Sequence, residues 1–237
     1  MSNVIIVEAE NDATFIKRIV KYMNERKGNN INIDNKKGYT TLNDKTPEKT
    51  YRGLSEASLT NSLKRVKKRL EKEPIEKVGI IIDMDQKLQQ ERLDLVNKAM
   101  LTVFSEAETI ININQLVKIT KIDQQDIQAA CYFMNVNGKG ELATVLKKIK
   151  TKKSIYADCI ESWKTCIINT LNDNKKIILS DNDFDKLWVY NYIYYDISNK
   201  EYGFNEKGFK IIMDKQQDIW NFDHPILEDL KLFLALF

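Results

Sequence analysis

The run Lys77-Val78-Gly79-Ile80-Ile81-Ile82-Asp83-Met84-Asp85 carries the strongest strand signal in the chain. Its middle is unbroken apolar and largely β-branched, the pattern of a strand covered on both faces. A second run of this kind, Asn3 to Val7, lies near the start and ends in Glu8. Helical patterns follow both. From about Asp12, residues Phe15, Ile16, Ile19, Val20 and Met23 recur on one face, and Gly28 breaks the pattern. A helix over about Ser55–Glu73 places Leu59, Leu63, Val66 and Leu70 inward and stops at Pro74. Another, Gln90–Ser105, aligns Leu93, Val96, Met100 and Val103. A strand is expected over Gln128–Val136, a turn at Asn137–Gly140, and a helix over Glu141–Lys150. Between the first two units, Asn30–Asp34 alternates and reads as an edge or second strand, and 35–53 reads as a polar loop. Strands alternating with helices predict an α/β, Rossmann-like domain over 1–150, its mostly parallel sheet covered by helices on both faces.

The remainder, 151–237, changes in texture and reads as a mainly helical C-terminal extension packed on that domain. Tyr156, Cys159, Ile160, Trp163 and Ile167 mark a helix, aromatics crowd Phe184–Tyr195, and Pro225–Phe237 is a short apolar helix expected to dock.

Composition narrows the function. Of 237 residues, 43% are hydrophobic and 30% charged, which places the chain among folded globular proteins. The net charge of +3 is too mild to imply nucleic-acid binding by itself. No apolar run is long enough to span a membrane, and the first residues enter a strand with no secretory pattern. Three cysteines form neither a disulfide framework nor a zinc spacing, so a cytoplasmic location is expected. One histidine, His224, excludes a His-rich metal site. Carboxylates, lysines or hydroxyls are left to do any chemistry.

In an open parallel sheet the reactive edge lies beyond the carboxyl ends of the strands. Glu8, Glu10 and Asp12 follow the first strand; Asp83 and Asp85 follow the other. Strand alternation would turn Asp83 and Asp85 to the same side. If the two strands are neighbours, Glu8, Asp83 and Asp85 converge into an acidic pocket that repels itself unless a cation enters. Hard oxygen ligands suit Mg2+, with Mn2+ as the alternative. Such a cation is the usual equipment of phosphodiester chemistry. Asp12 is read either as a helix cap or as part of this pocket.

At these residues the sequence resembles a Toprim domain, the fold shared by topoisomerases, bacterial primases, recombination-repair proteins and OLD-family nucleases. The first motif is Val4-Ile5-Ile6-Val7-Glu8-Ala9-Glu10-Asn11-Asp12 followed by Phe15-Ile16; the second is Gly79 to Asp85. The step Gly140-Glu141-Leu142 and the closing Trp220-Asn221-Phe222-Asp223-His224-Pro225 are similar to a small stand-alone bacterial and archaeal subgroup related to the OLD nucleases. The resemblance implies a Mg2+-dependent endonuclease acting on DNA or RNA. Glu8 would be a ligand or general base, Asp83 and Asp85 would hold the metal, and Glu141 would be a further ligand. It also implies a role in anti-phage defence beside an ABC-like ATPase partner. A catalytically weak Toprim module that binds nucleic acid or a partner protein is the alternative, and a primase-like nucleotidyl transferase a third. Ala9 stands where the pattern prefers Gly, so a positive φ there would make the turn differ from the family's.

The basic runs Lys64–Arg69 and Lys147–Lys153 could meet phosphates. Lys186 and Lys139 could each reach a phosphate from a helix or a turn, and Lys139, in its Gly-Lys-Gly turn near Glu141, is the preferred catalytic lysine. Tyr190, Tyr192, Tyr194 and Tyr195 read as a core or interface cluster. The aromatic C-terminal part suggests a docking patch for a partner or a homodimer. His224 reads as a turn or capping residue, and the cysteines as buried small hydrophobes.

Overall fold

The computed structural model describes residues 2–34, 37–42, 54–170 and 179–237. Its centre is a five-stranded sheet in the order β2-β1-β3-β5-β4, formed by β1 (Ser2–Val7), β2 (Tyr39–Thr41), β3 (Ile75–Asp83), β4 (Val117–Ile122) and β5 (Gln125–Met134). All pairings are parallel except β4 with β5, which is antiparallel. Asp123 and Gln124 join that pair with φ of 47° and 67°, as a tight two-residue hairpin requires. The described helices are α1 (Glu10–Lys27), α2 (Glu56–Leu70), α3 (Gln89–Val103), α4 (Leu142–Lys148), α5 (Ile155–Thr170), α6 (Asp181–Asn191), α7 (Glu206–Lys215) and α8 (Glu228–Leu234). The fold is thus α/β with a mostly parallel sheet, consistent with a Rossmann-like arrangement.

The period of two along each strand sorts the core onto two faces. Val4, Ile6, Val78, Ile80, Ile82, Ala129, Cys131 and Phe133 meet α2 and α3. Ile5, Val7, Ile81, Ala130, Tyr132 and Met134 meet α1, α4 and the C-terminal helices. The described residues after 150 enter only this second core, where Trp188, Tyr192, Phe209, Leu230 and Phe233 are fully enclosed. The C-terminal helical segment therefore completes one face of the domain.

Gly79 marks how closely that face is packed. It lies opposite Ile5 in the β1–β3 register. A Cβ there would come within 2.4 Å of Ile5 Cδ1, 3.0 Å of Phe237 Cζ and 3.1 Å of Phe233 Cζ. Gly79→Val is expected to cost about 1–3 kcal/mol through overpacking. Urea unfolding should show the loss as a lower midpoint; an unchanged midpoint would mean that the tail packs less tightly than this.

Several expectations are corrected. Asn30–Asp34 is not a strand: Ile31 and Ile33 are buried as the alternation implies, but only Ile33 forms a bridge, to Asn3. The second strand is Tyr39–Thr41, inside the stretch read as loop; its aromatic and β-branched residues pair with Ile5–Val7. Residues 35–36 and 43–53 of that stretch lie outside the described residues. The first helix begins at Glu10, two residues early. Of the cysteines, Cys131 is buried but Cys159 and Cys166 are exposed on α5. That helix buries only Ala157 and leaves Ile155, Tyr156, Trp163 and Ile168 exposed. Among the tyrosines, Tyr192 is core, whereas Tyr190 stacks on Tyr194 nearer the surface. His224 caps a short turn, its Nδ1 accepting from the Ile226 N–H at 3.2 Å. Among the described residues no helix is long and apolar enough to cross a membrane.

Candidate active site at the carboxyl edge of the sheet

Because β1, β3 and β5 are parallel neighbours, their carboxyl ends coincide. Glu8 leaves β1, Asp83 ends β3, and the turn after β5 leads to Glu141. Glu8 and Asp83 are joined directly: the Asp83 N–H donates to Glu8 Oε2 at 2.8 Å. Asp12 sits one turn into α1 and accepts from the Ala9 N–H at 2.9 Å. It caps the helix and belongs to the acidic group at once, so the two readings of Asp12 coexist. Ala9 is extended, with φ −139°, so the missing glycine costs nothing there.

Asp85 arrives by a different route from the one alternation suggests. It lies beyond β3 with φ 55°, a left-handed conformation that Asp tolerates better than most residues. Its N–H donates to the Gly140 carbonyl at 2.7 Å, and the Gly140 N–H returns a bond to the Asp85 carbonyl at 2.8 Å. This bridge draws the Asn137–Gly140 turn against the end of β3. Gly140 has φ 93°, and a Cβ on it would come within 2.5 Å of Thr144 Oγ1. A side chain there would push the turn, and Glu141 with it, out of place.

Three residues that sequence reasoning missed or underrated hold these carboxylates. Arg92, buried on α3, donates to Asp85 Oδ2 at 2.6 Å. Asn182 on α6 donates to Asp85 Oδ1 at 2.8 Å. Lys186, one helical turn on, pairs with Glu141 Oε2 at 2.9 Å. Ser180 caps α6 by accepting from the Asp183 N–H, which aims this first turn at the sheet edge. Lys139, preferred from the sequence, is exposed in its turn and makes no ion pair among the described residues. The lysine at the acidic group is Lys186. The spacing Asn182-x-x-x-Lys186 behind a Ser180 cap was the available signal.

The electrostatics follow from crowding. Asp83 is raised well above the usual carboxylate range by enclosure, then by Asp12, Glu8, Glu141 and Asp85. Asp12 is pushed up to about 7, by burial first and then by Glu8. Glu141 rises to about 6 through burial, although Lys186 pulls the other way. Burial also raises Glu8, against the Asp83 N–H that favours its charged form. Glu141 Oε1 is enclosed and has no hydrogen-bond partner among the described residues.

A family model described as "Protein of unknown function (DUF3226)" matches residues 2–237. The chain belongs to the DUF3226 family. No curated protein and no solved structure matches it.

The basic runs of this DUF3226 chain are largely spent on its own structure. Arg65 donates to the Thr41 carbonyl, Lys67 to the Val103 carbonyl, and Arg69 pairs with Glu73. Lys147 pairs with Glu161 and Asp185, Lys150 with Asp158, and Lys152 with Asp218. Lys64, Lys68, Lys148 and Lys153 are left exposed without an ion pair among the described residues.

Proposed function

We propose that this DUF3226 chain is a Toprim-like endonuclease that cleaves nucleic-acid phosphodiesters with Mg2+ or Mn2+. One observation carries the reading. Five carboxylates from separate parts of the chain are gathered at the carboxyl ends of adjacent parallel strands, and four of them, Glu8, Asp12, Asp83 and Glu141, are held above the usual carboxylate range by burial and by their acidic neighbours. Such a group is costly unless it has a use.

The donor set fits a hard divalent cation. It is all oxygen, it is self-repelling, and it includes the enclosed, unpartnered Glu141 Oε1. No three His, Cys, Asp or Glu side chains among the described residues are grouped tightly enough to enclose an ion as they stand. Arg92 and Lys186 neutralise part of the charge in that arrangement. Glu8, Asp83 and Asp85 would hold the cation, with Glu141 and Asp12 adjoining. When bound, it supplies polarisation of a phosphoryl oxygen and of a water molecule.

Around that centre the chain's own residues have separate tasks. Glu8, whose carboxyl burial holds above the usual carboxylate range, is suited to general-base work. Arg92 and Asn182 fix the Asp85 carboxylate from both oxygens. Lys186, half exposed beside the acidic group, is placed to meet a backbone phosphate. The defence role and the ABC-like ATPase partner are supported by the sequence resemblance alone.

The test is cleavage of supercoiled plasmid and of total tRNA with Mg2+, with Mn2+ and with a chelator. Cation-dependent cleavage of either polymer supports the reading and names the substrate. Well-folded protein that cuts neither, with or without an added ATPase partner, would count against it.

A further inference from the structure

A cleft of about 410 Å3 opens between α1 and the segment Trp220–Asp223, lined in part by Arg18, Tyr22, Arg26, Trp220 and Phe222. It uses the closing sequence signature, which the acidic site leaves without a role. Three carboxylates also line it, and each has a lysine: Asp218 has Lys152 at 2.5 Å, Asp223 has Lys27 at 2.9 Å, and Glu25 has Lys21 at 3.8 Å. Tyr22 hydrogen-bonds Asp223 as well.

The arginines are not matched in this way. Arg18 is only 9% exposed, and its guanidinium lies 5.8 Å from the centre of the Phe222 ring. It makes no hydrogen bond or ion pair with any described residue, and its Nε is enclosed without a partner. Arg26, two turns further along the same face of α1, is exposed and also unpaired among the described residues. The indole N–H of Trp220, a residue 3% exposed, is enclosed and likewise has no partner among the described residues. An enclosed guanidinium Nε and an enclosed indole N–H without acceptors among the described residues are each costly. Two arginines without a carboxylate partner among the described residues and an orphan donor around one cleft suit a ligand that brings negative charge and several acceptor oxygens.

We infer that this cleft binds the phosphate group of a small phosphorylated ligand. The guanidinium fork matches phosphate geometry, and a phosphate dianion balances two arginines. The cleft's volume falls in the range of small-molecule sites, and the Tyr22 and Phe222 rings offer an apolar wall beside the phosphate position. The inference does not rest on the nuclease reading.

Calorimetry and thermal unfolding of the full chain, with inorganic phosphate and separately with adenosine monophosphate, test it against sodium chloride at matched ionic strength. A saturable rise of the unfolding midpoint is expected with at least one ligand. Tighter binding of the nucleotide would show that the aromatic wall contributes; equal binding would show that the phosphate alone is read. Arg18→Met, Arg26→Gln and Trp220→Phe should each weaken binding roughly tenfold or more, whereas Glu8→Gln should leave it unchanged. If Arg18→Met fails to fold, Arg26→Gln on an exposed residue decides. No saturable effect of either ligand on the wild type would overturn the site, as would equal affinity in Arg26→Gln and Trp220→Phe.

Discussion

Glu8→Gln and Asp83→Asn should each abolish cation-dependent cleavage and each melt higher than the wild type. The two effects share one cause. Both carboxylates are raised towards the protonated state by enclosure and by their acidic neighbours. At neutral pH the folded state must hold them ionised against that repulsion or take up protons. An amide of the same shape removes the charge, and with it the oxygen donor that a divalent cation needs. A gain in stability is expected, together with a loss of cleavage of roughly a thousandfold or more. The Glu8 change is the subtler, because a glutamine oxygen can still accept from the Asp83 N–H. Cleavage lost together with a lowered melting temperature would point instead to damaged packing. Cleavage retained by both variants would remove these residues from the site.

The second large effect is in the dependence of stability on pH. Asp12 rises from an ordinary 3.8 to about 7, and Glu141 from 4.5 to about 6. A carboxyl whose folded-state pKa is raised binds more protons in the folded chain than in the unfolded one. Its stabilising share is complete below the unfolded value and is lost as pH rises through the folded value. Without divalent cation, stability should therefore fall between about pH 4 and pH 7. Asp12, with the larger rise, contributes more to that fall than Glu141 does. Mg2+ binds the ionised carboxylates and should reverse it, raising the melting temperature little at pH 5 and markedly at pH 8. Melting curves at both pH values, with Mg2+ and with a chelator, check this. A magnesium effect as large at pH 5 as at pH 8 would contradict the account.

The parts of the fold legible in sequence are those where one pattern dictates one structure. β1 and β3 are continuous apolar runs, and only a strand covered on both faces uses such a run. Once both are central and parallel, Glu8 and Asp83 must meet at one edge. β2 was hidden because Tyr39–Thr41 is short and its position at the sheet edge leaves it part-exposed. Asp85 reached the site through a left-handed turn and the Gly140 bridge, which no strand period encodes. The residues that hold the acidic group were the least legible. Asn182 lies 97 positions from Asp85 in sequence, and only the folding of α6 onto the α4 side of the sheet brings them together. Lys139 was preferred to Lys186 because a glycine turn beside Glu141 is a local signal, whereas the docking of a helix is not. The basic runs misled for a related reason: the acidic residues that pair Lys147, Lys150 and Lys152 come from α5, α6 and Asp218.

Mn2+ titration by calorimetry at pH 7.5, with wild type beside Asp83→Asn, tests the central claim most directly. One saturable site in the wild type, lost or weakened by at least roughly a hundredfold in the variant, is the result expected of carboxylate ligands. Absence of saturable binding in well-folded wild type, or equal affinity in the two proteins, would contradict it.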